Sequence, residues 1–179
     1  MTERKNSKLK IENYKLFLIG FMGCGKTTFG KKLANKLKLE FIDLDDIIES
    51  TYGKSIAMIF ESEGEGAFRK KESHVLNKII LKKKFVVATG GGTPCFYDNM
   101  EIMKKAGKVI YLKMSPKSLA ARLYKGKDKR PLIKDCNDKD LVDFISEKLR
   151  TRERHYEQAD IIVKGESIKT DEVIKMIKK

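Results

Sequence analysis

The chain has no apolar run long enough to cross a bilayer. Its first 13 residues, MTERKNSKLKIEN, are polar and lysine-rich and carry no apolar signal core. Nothing in them points to export, so the expected location is the cytoplasm. The three cysteines, Cys24, Cys95 and Cys136, stand far apart and lack the paired spacing of a zinc or redox site; free thiols in a reducing compartment are expected. No internal repeat is apparent, and neither N-K-x-D nor D-x-x-G, the base-reading and switch signatures of a GTPase, occurs. Arginine is scarce: lysine supplies 32 of the 39 basic residues. A net charge of +14 raises nucleic acid as a partner. The lysines are instead scattered through helical stretches without interleaved aromatics and read as solvated faces, so no nucleic-acid partner is expected. The same positive field draws anionic substrates such as a nucleotide. The few arginines, better forks for carboxylate and phosphate, are the more informative cations.

What is present is a chain of 179 residues, 41% hydrophobic, which suits one domain with a sizeable core. Residues 1–13 read as a flexible lead and 14–179 as a single domain. YKLFLI (Tyr14–Ile19) reads as a buried strand, followed by a helix to about Leu39. A second short strand opens EFIDLD, and two or three helices follow, punctuated by Gly53, Gly64 and Gly66. KFVVATGGG is a third strand running into glycines. A helix stopping at Gly107 and the strand KVIYLKM come next, and then a helix capped by Ser115 with Pro116 in its first turn. The polar stretch KGKDKRPLIKDCND reads as a mobile loop. A long helix through KDLVDFISEKLRTRERHYEQA, a fifth strand DIIVKG and a final helix complete the chain. Strands alternating with helices predict an α/β fold with a mainly parallel sheet.

GFMGCGKTT (Gly20–Thr28) fits G-x-x-x-x-G-K-[ST], with a strand before it and a helix after. Glycines there let main-chain N–H groups turn around phosphate oxygens, and the helix N-terminus adds partial positive charge. The loop from Gly23 through Cys24 and Gly25 to Lys26, Thr27 and Thr28 is the candidate nucleotide-phosphate site. Lys26 is placed to reach the β and γ phosphates and Thr27 to ligate Mg²⁺. The side chain of Thr28 reads as an ordinary first-turn residue, and the thiol of Cys24 as merely tolerated. With the GTPase signatures absent and the chain too short for a large ATPase, a small-molecule kinase remains.

Four further segments bear on the acceptor. In DLDD, Asp43 and Asp45 are two apart and would share a face in extended chain, one serving Mg²⁺ through water and the other a substrate hydroxyl; helix capping by Asp45 or Asp46 is the plainer reading. In FRKKE, Arg69 and Glu72 are spaced to pair on a helix; alone, that pattern favours a surface ion pair over a carboxylate clamp. Gly90, Gly91 and Gly92 leave main chain open to a ligand, or make a loose turn. Arg130, in KRPLI, is either a lid arginine neutralising a transferring phosphoryl or a solvated loop residue.

Together GFMGCGKTTFGKKLA, FIDLDDIIE, GKSIAMIFESEGEGAFRKKE, VVATGGG, KRPLI and RERHYEQAD resemble shikimate kinase in order and spacing, over nearly the whole chain after residue 13. The resemblance implies a three-layer P-loop kinase fold, with a five-stranded parallel sheet in the order 2-3-1-4-5, helices on both faces and a mobile lid over about 124–137. It implies transfer of the γ-phosphoryl of ATP to the 3-hydroxyl of shikimate, with one Mg²⁺, in a monomer whose shikimate-binding part covers about 44–75. By position it implies Asp45 at the shikimate hydroxyls and as a candidate base, and Asp43 near Mg²⁺ through water. Arg69 becomes the carboxylate clamp oriented by Glu72, and Gly90–Gly92 become shikimate contacts. Arg130 becomes a catalytic lid arginine beside ATP. Arg122 would contact adenine, with its loop near Lys164 and Gly165, and Arg152 would be the second clamp. One departure is RERHY, where the family often has proline at the position of Arg154; this leaves Arg154 as a rival to Arg152. Another small-metabolite kinase, such as a gluconate kinase, is the alternative enzyme reading, and a basic nucleic-acid-binding module the alternative outside enzymes.

Overall fold

A computed structural model describes residues 14–124, 138–165 and 169–179. The lead over 1–13, the lid over 125–137 with Arg130, and Cys136 lie outside the described residues. Five strands, β1 (Lys15–Ile19), β2 (Glu40–Asp43), β3 (Phe85–Ala88), β4 (Lys108–Lys113) and β5 (Ile161–Lys164), form one parallel sheet in the order β2-β3-β1-β4-β5. The helices are α1 (Lys26–Leu37), α2 (Leu44–Tyr52), α3 (Ile56–Ile79), α4 (Asn99–Ala106), α5 (Pro116–Tyr124), α6 (Asp138–Tyr156) and α7 (Thr170–Ile177).

The central strand explains its own sequence. Covered on both sides, β1 is continuously apolar rather than alternating, and Leu16, Phe17, Leu18 and Ile19 are all fully buried. Each such side chain contributes about 1.5–3 kcal/mol when removed from water. Crossovers in parallel sheets are right-handed. From β1 the chain moves two places one way to β2, then turns back through β3 to β4 and β5, so α1 lies on one face and α3 to α6 on the other; α7 returns to pack against α1. The reversal falls beside β1 and β3, the place where open α/β sheets open a crevice at their carboxyl ends.

Local chemistry sets the helix boundaries. Ser115 Oγ accepts from the Ser118 amide at 3.2 Å with Pro116 starting α5, as predicted. The first helix stops at Leu37, earlier than its pattern suggests, because Lys38 takes a left-handed conformation (φ 55) and closes the end with hydrogen bonds to Ala34 and Asn35 carbonyls. The region predicted to hold two or three helices contains α2 and an α3 broken at Gly64 (φ 79, ψ 171), a conformation costly to any other residue. The glycine triplet continues into a short 3-10 turn, Thr93–Cys95, before α4 begins. Cys24 and Cys95 are free thiols, as their spacing predicts.

Candidate active site

Strand register brings two loops together. Ala88, the last residue of β3, pairs with Leu18 of β1 on one side and Asp43 of β2 on the other. Thr89 then fastens to the Leu18 carbonyl through its amide (3.1 Å) and its hydroxyl (3.0 Å). The glycine loop after β1, the glycine triplet after β3 and the carboxylates after β2 therefore meet at one sheet edge.

The donor side is mostly main chain. Gly25 is the N-cap of α1 in a left-handed conformation (φ 93), with no side chain capping the helix and no acidic residue in its first turn. The uncapped amides and the helix dipole form an anion cradle. Lys26 is buried with its Nζ folded back onto the loop, donating to the carbonyls of Gly20 (2.8 Å) and Phe21 (3.1 Å) and lying 3.8 Å from Cys24 Sγ. Arg122, from α5, reaches the same loop: its Nη1 donates to the Cys24 carbonyl at 3.5 Å. Thr28 is exposed in the first turn of α1, and Thr27 Oγ1 donates to Asp43 Oδ2 at 2.8 Å.

Asp43 and Asp45 do not share a face of extended chain. The strand ends at Asp43, which caps α2 by accepting from the Asp45 amide at 3.2 Å, so Asp45 already lies in the first helical turn. The capping role falls to Asp43 rather than to Asp45 or Asp46. Freed from it, the Asp45 carboxylate lines a cavity of about 780 Å³ together with Arg69, Glu72, the glycine triplet and Arg152. Burial, with Asp43 and Glu72 adding repulsion, pushes the Asp45 carboxyl up to about 6.

The pair Arg69–Glu72 is not the surface ion pair that spacing alone favoured. Arg69 is buried and Glu72 fully so, with Nη1 donating to Glu72 Oε2 at 2.9 Å. Glu72 Oε1 accepts from Thr93 Oγ1 at 2.6 Å; Asn99 Nδ2 donates to the Thr93 carbonyl at 3.0 Å; Ser73 Oγ donates to Asn99 Oδ1 at 2.8 Å. The rings of Phe68 and Phe96 lie 4.9 and 4.3 Å from the Arg69 guanidinium carbon. A guanidinium held rigidly in this way suits recognition of a planar anion.

Each glycine of the triplet faces a different group. A methyl on Gly90 would stand 2.7 Å from Glu72 and 3.4 Å from Asp45; on Gly91, 3.6 Å from Arg152; on Gly92, 2.5 Å from Arg69 Nη2. The segment is thus a close-fitting floor, not a loose turn. Tyr156, buried one turn beyond Arg152 on α6, donates its hydroxyl to the Gly91 carbonyl, and burial keeps that phenol protonated. Of the two candidate clamps, Arg152 reaches the cavity while Arg154 is exposed and turned onto His155 at 3.2 Å. Lys164 and Gly165 line a separate depression of about 540 Å³ beside the start of α5.

Sequence reasoning missed four contributors. Thr93 and Phe96 follow the triplet without any marking pattern. Tyr156 ends the segment RERHY, where nothing local marks it as a contributor. Glu65, which pairs with Arg69 at 3.0 Å, carried a signal that was available, since it precedes Arg69 by four residues on a helix.

A family model described as shikimate kinase matches residues 22–179. The chain belongs to the shikimate kinase family. It is 48% identical over 149 residues to the shikimate kinase of Azobacteroides pseudotrichonymphae genomovar. CFP2, covering 83% of this chain and 88% of that one. Its fold is similar to the 1.7 Å crystal structure of shikimate kinase from Bacteroides thetaiotaomicron, with a TM-score of 0.88 and 37% identity over 93% of this chain and 99% of that one. It is also similar to shikimate kinase from Acinetobacter baumannii in complex with shikimate, with a TM-score of 0.78 and 36% identity over 90% and 89% of the two chains. The α/β fold and strand order expected of the family are those observed. The family match, more than the arginines, separates the chain from a gluconate kinase or a nucleic-acid-binding module.

Proposed function

We propose that this protein transfers the γ-phosphoryl of ATP to the 3-hydroxyl of shikimate, giving ADP and shikimate 3-phosphate on the route to chorismate and aromatic amino acids. The observation that carries the reading is the glycine floor ringed by Asp45, Arg152 and the prepaired Arg69, immediately beside the phosphate loop. Shikimate is a small ring with a carboxylate at one end and hydroxyls at the other. Two guanidinium groups and a carboxylate lining one cavity complement it.

In this reading residues 14–179 are one kinase domain, with 44–75 its acceptor part, acting as a cytoplasmic monomer. ATP phosphates take the cradle of Gly23, Cys24, Gly25 and the first turn of α1 through Thr28. Lys26 leaves its carbonyl partners for the phosphates, and Arg122 flanks the nucleotide. Gly90, Gly91 and Gly92 contact the ring, and Arg152 joins Arg69 at its carboxylate. Arg130 retains the lid role that the resemblance implies. The hard oxygens of Thr27 and Asp43, already 2.8 Å apart, fit Mg²⁺, which binds few protein groups and keeps water and phosphate oxygens. Thr27 would hold it directly and Asp43 through water, and it would supply charge neutralisation at the phosphates. Asp45 anchors the acceptor hydroxyl and takes its proton late, since loose phosphoryl transfer asks mainly for positioning.

The test is a coupled ADP-release assay with shikimate, with gluconate and with neither. Release dependent on shikimate is expected; release dependent on gluconate alone rejects the assignment.

A further inference from the structure

Arg69 is paired twice, and the two partners differ. Glu72 is fully buried and holds Arg69 Nη1 with one oxygen and Thr93 with the other. Glu65 is on the opposite side of the guanidinium: one of its oxygens accepts from both Nε (3.2 Å) and Nη2 (3.0 Å). Its side chain is 55% exposed, and Arg69 is its partner among the described residues. The Nε–Nη2 edge is one of the two edges with which a guanidinium grips a carboxylate; the other, Nη1–Nη2, lies against Gly92 and already holds Glu72.

Charge makes the arrangement consequential. One guanidinium with two carboxylates already carries a net charge of −1. Arg152 and Asp45 line the same cavity and offset one another, so a third carboxylate brought to Arg69 would still leave the cluster at −2. One carboxylate has to withdraw. Glu72 has no solvent to withdraw into and is tied through Thr93. Glu65 has solvent, and it follows directly on Gly64, the break in α3, with Gly66 next to it.

We propose that Glu65 is a placeholder for the acceptor's carboxylate. It covers the Nε–Nη2 edge of Arg69 while the cavity is empty and yields that edge when the acceptor arrives. The proposal rests on reading Arg69 as the acceptor clamp. Glu65 is then a specificity-determining residue. An anion offering only a carboxylate gains little from an edge that is already occupied. An acceptor that also gives hydroxyls to Asp45 and a second contact to Arg152 gains enough to displace it.

The experiment compares the full-length wild type, Glu65→Gln, Glu65→Ala and Arg69→Gln. It measures KM for shikimate at saturating ATP, KM for ATP, and inhibition by benzoate, a ring carboxylate without hydroxyls. Both Glu65 variants should lower the shikimate KM by about two- to fivefold, the scale of a part-exposed ion pair, and strengthen benzoate inhibition at least as much. The ATP KM should not move, and Arg69→Gln should raise the shikimate KM. If the Glu65 variants raise the shikimate KM or leave it unchanged while Arg69→Gln raises it, Glu65 is a fixed support like Glu72 and the placeholder role is overturned alone. A shikimate KM unmoved by Arg69→Gln overturns the clamp reading and the placeholder with it.

Discussion

On the donor side, Gly20 to Gly25 and the first turn of α1 present main-chain groups, and the buried cation there, Lys26, rests on two carbonyls of the loop and beside one thiol. On the side proposed for the acceptor, charged side chains line the cavity beside the glycine floor, and Arg69 is held between two carboxylates and two aromatic rings. The donor site is therefore made by chain geometry that persists when a side chain changes. The acceptor site is made by a buried polar network in which each member's position depends on the next. Function and stability should separate on the first side and move together on the second.

The largest effect tests the separation. Lys26→Met removes the loop lysine proposed to follow the phosphoryl group, so turnover should fall on the order of 10³-fold. Of its present partners, the Phe21 carbonyl keeps the Cys24 amide without it, so thermal unfolding followed by circular dichroism should shift by no more than about 2 °C. Near-normal turnover would falsify the role given to Lys26, and a collapse in melting temperature would show that the donor loop depends on its lysine after all.

Glu72→Ala tests the coupling. It leaves the buried Arg69 guanidinium with only Glu65 and strips Thr93 of its acceptor. Breaking a buried pair by removing one member costs about 3–5 kcal/mol, which for a chain of this size lowers the melting temperature by roughly 10 °C. The shikimate KM should rise in the same variant, because the clamp loses the group that aims it. A variant that melts normally but binds shikimate poorly would mean that the acceptor side, like the donor side, keeps function and stability apart.

The same contrast governs what was readable from the sequence. The phosphate loop is contiguous, and its strand–loop–helix context is local, so Lys26 and Thr27 stand where their spacing placed them. The pairing of Arg69 with Glu72 was also readable from spacing, but its burial was not. Burial is decided by Phe96 and Thr93, which arrive from more than 20 residues away, and nothing local distinguishes such a helix face from a solvated one. Asp43 and Asp45 were misplaced relative to one another because the pattern DLDD does not reveal that the strand ends at its first residue. The hydroxyl of Tyr156 and the Gly91 carbonyl meet across 65 residues, and only the packing of α6 against the triplet brings them together. Within the site, then, legibility fell with the sequence distance between partners.

Asp45 gives the smallest effect on stability and the sharpest test, because it lines the acceptor cavity yet has no ion-pair partner among the described residues. Its carboxyl titrates near 6 in the folded chain against an ordinary 3.8, chiefly because it is buried. Between those two values the folded state binds more protons than the unfolded one, so Asp45 erodes stability as pH rises from about 4 to 6, and its full cost is present at pH 7. Asp45→Asn should therefore raise stability at pH 7 by about 1–2 kcal/mol, a range discounted for partial exposure, and the gain should vanish below about pH 4. In the wild type, kcat/KM for shikimate should decline as pH falls through about 6, when Asp45 becomes protonated and can no longer take the proton of the acceptor hydroxyl. The variant should lose both that inflection and most of its turnover. Denaturant melts of the two proteins at pH 4 and pH 7 decide the first point. A gain equal at both pH values would trace it to packing rather than charge, and would leave Asp45 a neutral member of the floor instead of the carboxylate that the acceptor hydroxyl meets.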